Sequence, residues 1–225
     1  MSEEKLNLKF DIPLSAIEEI IDAHINGDFS GYDRVVSPRD LAEVRGMCFF
    51  KKEAFYRLIR NIGLKNNPAA RPYKDARIKV IGADPHGLSV GQTFVMQEKI
   101  MSLLKLRKEV FGEFVVKGIS KMPPAQMYGI DYQGRKALAF YIPPIVEIHG
   151  EQIAILDGIH RSKLCDGAGT TVNAVHISNV AYPLPFEPIS WEETSIVSEK
   201  PPIEKRYKGL RREYFRDLAV VGIDG

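Results

Sequence analysis

Residues 145–177 constrain the fold of this chain more than any other stretch. They read IVEIHGEQIAILDGIHRSKLCDGAGTTVNAVHI. Residues 145–148 and 152–156 are short apolar, β-branched runs joined at His149-Gly150-Glu151, which is a hairpin signature. The second run stops at Asp157-Gly158. The next segment, IHRSKLCDGAG, has the length of a short helix, ended by Gly167 or Gly169. TVNAVHI then resumes as a strand. Prolines 143 and 144 put the start of the first strand at a sheet edge or end. Strand, turn, strand, helix and strand in this order predict an α+β body around a mixed β-sheet.

The junction at Asp157-Gly158 carries the chemistry. Gly158 tolerates a positive φ or a close backbone approach. The first-turn amides of the following helix point outward and carry partial positive charge. His160 and Arg161 add donors in that turn, and a guanidinium can grip an oxyanion with two parallel bonds. These groups suit a phosphate. Asp157 beside them suits a divalent cation or the orientation of a hydroxyl. A plainer reading has Asp157 capping the helix and Arg161 pairing with a surface acid.

The stretch PPIVEIHGEQIAILDGIHRSKLCDGAGTTVNAVHI, residues 143–177, resembles the ParB/sulfiredoxin-like superfamily, in which a hairpin leads into a D-G-x-H-R turn and helix. The resemblance implies a nucleotide site that is not a P-loop, and the chain has no G-x-x-x-x-G-K-[ST]. It implies that Gly158, Ile159, His160, Arg161 and Ser162 bind ATP or another nucleotide, that Asp157 holds Mg2+, and that Asp157 and His160 are catalytic. Ile159 stands where the sulfiredoxin branch has its cysteine, so thiol repair of a sulfinic acid is not expected. The partition branch carries a helix-turn-helix domain after the motif, and the short proline-rich remainder here does not fit one. A DNA-modification branch reads D-G-Q-H-R, which keeps a nucleic-acid partner open.

The free-serine kinase branch, D-G-[HV]-H-R, is nearest. Its base is an acid in a loop that corresponds here to HGLSVGQTFV, with Gln92 and Thr93 at the expected place near the nucleotide. Glutamine cannot take a proton as a carboxylate does. Asp84 and Glu98 are the neighbouring acids. The expectation is therefore a nucleotide-dependent phosphotransferase or NTP hydrolase acting on a small-molecule or nucleotide-like substrate. A DNA-associated module and a catalytically inactive binding protein are the alternatives.

Elsewhere the patterns are coarser. Ser15 and Glu18 have capping-box spacing, predicting a helix over 14–25 that stops at Gly27. Leu41, Val44, Cys48, Phe55, Leu58, Ile59 and Ile62 suggest one long helix from Ser37 to Gly63, kinked at Gly46. Residues 1–72 then form an N-terminal helical extension, 73–180 the core, and 181–225 a proline-rich tail with a C-terminal helix returning to the core. ARIKVIGAD, residues 76–84, reads as a strand closed by a Pro-His-Gly turn, and 93–111 as a helix. MPPAQMYG, residues 122–129, is loop-like and suits a lid. Arg135 sits in the turn DYQGRKAL, in solvent or within reach of the nucleotide. EKRYKGLRREYFRDL alternates basic and apolar residues, which fits an amphipathic helix docked on the core or a polyanion contact.

Composition narrows the class. The apolar share is 44% and the net charge +2, so a sizeable core is expected and charge alone does not demand a nucleic acid. Two distant cysteines, Cys48 and Cys165, argue for a reduced, cytoplasmic setting and against a disulfide framework. His24, His86, His149 and His176 lack metal-ligand spacing. No apolar run approaches the roughly 18 residues of a membrane span, so no membrane partner is expected. The sequence does not fix the oligomeric state.

Overall fold

A computed structural model describes residues 11–21, 30–101, 103 and 121–218. The fold is α+β, with mixed sheets. The chain divides into two compact units, Met1–Leu58 with Pro124–Tyr141, and Ile59–Pro123 with Ile142–Gly225. These borders differ from the three consecutive segments expected above.

The first unit is built on a five-stranded sheet of β1 (Asp11–Pro13), β2 (Arg34–Val36), β3 (Leu41–Phe49), β7 (Ala125–Asp131) and β8 (Lys136–Tyr141), in the order β1-β2-β8-β7-β3. Only the β2–β8 pairing is parallel. Helix α1 (Leu14–Ile21) follows β1 directly, so Ser15 lies inside the helix rather than ahead of it. Helix α2 (Lys52–Arg60) ends the first stretch of this unit, with Phe55 and Leu58 buried.

The long helix expected from Ser37 to Gly63 is therefore replaced by a 3₁₀ turn, β3 and the short α2. The reason lies in the pairing of β3 with β7. Its register shifts between Leu41 and Glu43 and again between Val44 and Gly46. Each bulge adds a residue and breaks the two-residue alternation of a strand, leaving a spacing that imitates a helix. Gly46 and Gly129 are needed there. A Cβ on Gly46 would lie 2.1 Å from the Tyr128 hydroxyl, and one on Gly129 would lie 1.8 Å from the Glu43 carbonyl oxygen.

The segment expected as a lid is instead largely strand β7, between β8 and β3, with Ala125, Gln126 and Met127 buried. Arg135 closes the β7–β8 turn through Asp131, its Nε donating at 2.8 Å, and its Nη2 reaches Asp11 at 3.1 Å. Burial alone would raise the Asp131 carboxyl. The amides and side chain of the turn outweigh it and hold the group below the usual carboxylate range.

The second unit carries the motif. Its five-stranded sheet runs β4-β11-β9-β10-β5, from β4 (Arg77–Ala83), β5 (Ser89–Val90), β9 (Ile145–His149), β10 (Gln152–Asp157) and β11 (Val172–Ser178). The β9–β10 and β4–β11 pairs are antiparallel, while β11–β9 and β10–β5 are parallel. Gly150 makes the hairpin turn at φ 61. Helix α3 (Ile159–Gly167) connects β10 to β11. It stops at Gly169, which takes φ 60 while the Thr170 amide donates back to the Cys165 carbonyl at 3.0 Å.

Ile159, Val146, Ile155, Ala174, Val90, Val95, Ile189 and Trp191 share one buried cluster under this helix. Full burial of a side chain of this size contributes about 1.5–3 kcal/mol, so the cluster fixes where α3 begins. Trp191 is tied further by its indole N–H, which donates to the Pro85 carbonyl at 2.7 Å. A two-stranded parallel sheet of β6 (Phe94–Met96) and β12 (Ser195–Val197) completes the unit. The helix expected over 93–111 begins only after β6, at residue 97, and residues 104–120 lie outside the described residues.

No α-helix forms over residues 204–218. Two 3₁₀ turns, Ile203–Lys205 and Arg212–Tyr214, interrupt an extended strap. The strap is stitched down by backbone bonds: Thr93 to Arg206 at 3.0 Å, Glu187 to Lys208 at 2.9 Å, Arg211 to Pro185 at 2.8 Å and Asp217 to Gly63 at 2.8 Å. Gly209 reverses the backbone at φ 57. Intersegment bonds of this kind use the amides that a helix would keep for itself. The basic residues are consequently not arrayed on a helix face. Arg216 is buried, and Arg206 donates Nε to the Pro201 carbonyl at 2.6 Å.

Cys165 is buried and Cys48 half-buried, and neither forms a disulfide. Among the described residues no helix is long and apolar enough to cross a membrane.

Candidate functional site

Three local features set the geometry of the Asp157-Gly158 turn. The β9–β10 register shifts between Ile155 and Asp157, so the strand ends in a bulge that re-aims the carboxylate. Gly158 adopts φ 82 and ψ 23. A Cβ there would lie 2.8 Å from the Cα of Pro144, so both the conformation and the contact select glycine. Pro144 is itself held by its carbonyl, which accepts from the Val175 amide at 2.8 Å.

Helix α3 starts immediately after Gly158, which stands at its N-cap. The Gly158 carbonyl accepts the Ser162 amide at 2.9 Å, beginning the helical ladder. Asp157, Gly158, Ile159 and His160 line a cavity of about 180 Å3 together with Gln92, Phe94, Met96, Lys99, Leu156, Lys200 and Tyr207. Five of the residues singled out by sequence thus meet in one place: Gln92, Asp157, Gly158, Ile159 and His160. Thr93, Arg161 and Ser162 do not line the cavity.

Each absence has a structural reason. Thr93 turns to the strap, its hydroxyl donating to the Lys205 carbonyl at 2.6 Å. Ser162 is fully buried. Arg161 is 2% exposed. Its Nη1 donates to the Ile142 carbonyl and its Nη2 pairs with Asp157 Oδ2 at 3.3 Å. The guanidinium ties the end of β10 to the chain entering β9, which is a fixing task within the protein.

His160 is also a fixed group. Its Nε2 accepts the Met96 amide at 3.0 Å, which places the ring proton on Nδ1 and uses the lone pair a base at Nε2 would need. The bond also brings β6, and with it the cavity wall at Phe94 and Met96, against the start of α3. The two neighbouring acids weighed as bases lie elsewhere. Asp84 caps the Pro85–Gly87 turn through the His86 amide at 3.1 Å, and neither it nor Glu98 lines the cavity.

Sequence reasoning missed Lys99, Lys200 and Tyr207. Lys99 stands in the helical segment after β6, and the other two stand on the tail. The Tyr207 hydroxyl accepts from Gln92 Nε2 at 3.3 Å. Its ring stacks on Phe186, with centroids 5.9 Å apart and an interplanar angle of 15°. Burial, with some help from the Asp157 charge, pushes its phenol above the usual range and keeps it neutral. Only the extended path of the tail brings these groups to the cavity, and no motif signals it.

Compared with protein-family models, curated proteins and solved structures, the chain has no match.

Proposed function

We propose that this chain is a nucleotide-dependent phosphotransferase or NTP hydrolase of the ParB/sulfiredoxin-like type, with the phosphates of ATP or a related nucleotide bound at the start of α3. One observation carries the reading: the residues at the start of α3, Gly158, Ile159 and His160, line the same cavity as Asp157 and Lys99. Helix-terminal amides and ammonium groups neutralise phosphate charge, and a carboxylate beside them serves a hydroxyl or a cation.

The cavity volume, about 180 Å3, is below the roughly 300–1,000 Å3 of a pocket that encloses a drug-sized ligand. It suits the phosphate end of a nucleotide, with the nucleoside lying outward. The carboxylate residue lining this cavity is Asp157, and Mg2+ is commonly held by one or two carboxylates together with substrate phosphates and water. Asp157 is the residue that would hold it, and the ion would supply charge neutralisation between phosphate oxygens.

The chain's own residues divide the remaining work. Arg161 fixes the Asp157 carboxylate. His160 and Met96 lock the cavity wall. Lys99 offsets phosphate charge, and Asp157 orients the acceptor hydroxyl or the attacking water.

The test is turnover of ATP with Mg2+ by the full chain, followed by phosphate release and by transfer to candidate hydroxyl acceptors. Asp157→Asn keeps an oxygen acceptor for Arg161 but removes the negative charge, and is expected to lower turnover by about 10²–10⁴-fold, measured beside the thermal midpoint so that a loss of folding is told apart from a loss of chemistry. Binding without turnover by the unaltered protein would remove the chemistry and leave the binding protein.

A further inference from the structure

The strap brings two side chains to the cavity that the D-G-x-H-R motif does not include. We infer that Tyr207 and Lys200 are ligand-contact residues for a phosphate group bound in the cavity they share with the start of α3. This rests on the phosphate reading above and extends it to the tail.

Tyr207 is held in place from several directions. Its backbone bridges to Gln92, and the neighbouring Arg206 carbonyl accepts the Thr93 amide at 3.0 Å. Its ring is stacked on Phe186 and meets Phe215 edge-on, with centroids 5.2 Å apart and planes at 85°. A phenol fixed this way loses little freedom when it binds. Its oxygen already accepts the Gln92 amide, so its own hydrogen is what it can offer to a ligand oxygen. The phenol stays neutral because of burial, so it donates without adding negative charge beside a phosphate.

Lys200 supplies the complementary cation from the same strap. An ammonium is a compact point charge and suits a phosphate without demanding a fixed fork geometry. The chemical class this pair recognises is a phosphate or polyphosphate oxygen.

The experiment is calorimetric titration of the full chain with ATP and, separately, with inorganic pyrophosphate. Tyr207→Phe keeps the ring and its stacking and removes only the hydroxyl. It is expected to weaken both ligands about tenfold, with only a small fall in thermal midpoint from the lost Gln92 bond. Lys200→Ala is expected to weaken both, and its effect should shrink as salt is raised. Glu204→Gln, an exposed strap residue away from the cavity, should change neither.

Wild-type affinity in both Tyr207→Phe and Lys200→Ala, together with loss in Lys99→Ala, would overturn the role of the strap and leave the phosphate reading standing. Loss for ATP alone, with pyrophosphate binding intact, would also overturn it, because the pair would then touch the nucleoside. Failure of the unaltered protein to bind either ligand would sink the phosphate reading and this inference together.

Discussion

Asp157 at the end of β10 and Arg161 in the first turn of α3 stand four residues apart, with Arg161 Nη2 and Asp157 Oδ2 at 3.3 Å and side-chain exposures of 13% for Asp157 and 3% for Arg161. The pair places the carboxylate at the cavity wall and the guanidinium behind it. Arg161 is thus a positioning residue for Asp157. Removing one partner of a buried pair typically costs about 3–5 kcal/mol, because the other charge is left without compensation. Arg161→Ala is therefore expected to lower stability by that order in urea unfolding. Arg161→Lys recovers only part, since one ammonium does not reproduce a fork that reaches both Asp157 and the Ile142 carbonyl. A stable Arg161→Ala protein that has lost only phosphate affinity would contradict this and put the guanidinium on the ligand.

Gly158→Ala combines two penalties. A non-glycine residue at φ 82 is strained, and the new methyl would press on Pro144 at 2.8 Å. Backbone strain of this kind costs about 1–3 kcal/mol. Thermal unfolding of Gly158→Ala should show a loss at or beyond that range, since the Pro144 Cα met by the methyl is backbone and no substitution trims it away. An unchanged midpoint would show that neither the left-handed backbone nor the contact carries a cost.

Glu147 and Arg216 form the anchor of the strap. Nε and Nη2 of Arg216 each meet one carboxylate oxygen of Glu147 at 2.9 Å, and the Tyr73 hydroxyl donates to the same carboxylate at 2.5 Å. Glu147 is 0% exposed and Arg216 4%. Arg216→Met should cost about 3–5 kcal/mol, and adding Glu147→Gln should return part of it, since the stranded charge is then gone. Strictly additive losses in this cycle would mean that the pair is not coupled.

His176 gives the expected pH signature. Burial pushes its imidazole below the ordinary histidine value. The unfolded chain then binds a proton at a pH where the folded chain does not. Its contribution is whole above the unfolded value, near 6.5, and is lost as pH falls from there through the folded value. Urea midpoints between pH 5 and 8 should fall on the acid side, and His176→Gln should flatten that limb. An unchanged limb in the variant would assign the slope to other groups.

Legibility in the sequence followed how local each determinant was. The hairpin of β9 and β10, the Asp157-Gly158 junction, α3 and β11 were readable because strand alternation, a turn glycine and a helix stop lie next to one another in sequence. β3 was misread because two bulges hide its alternation. The tail was misread for the opposite reason. Its apolar and basic spacing fits a helix, yet its amides and carbonyls are taken by Thr93, Pro185, Glu187 and Gly63, which are far away in sequence. For the same reason Gln92, Asp157, Gly158, Ile159 and His160 could be proposed for the site, while Lys200 and Tyr207 could not. The plainer reading of Arg161 as half of an ion pair fits its geometry, with the buried pairing to Asp157 in place of a surface acid.

The central claim is that a phosphate binds between the start of α3 and the lysines of the cavity. A crystal structure grown with Mg2+ and a non-hydrolysable ATP analogue tests it most directly. The account predicts phosphate oxygens within about 3 Å of the first α3 amides, with Lys99 and Lys200 turned onto them and the metal on Asp157. Phosphates ordered elsewhere on the protein, or a cavity filled only by water at saturating analogue, would contradict it.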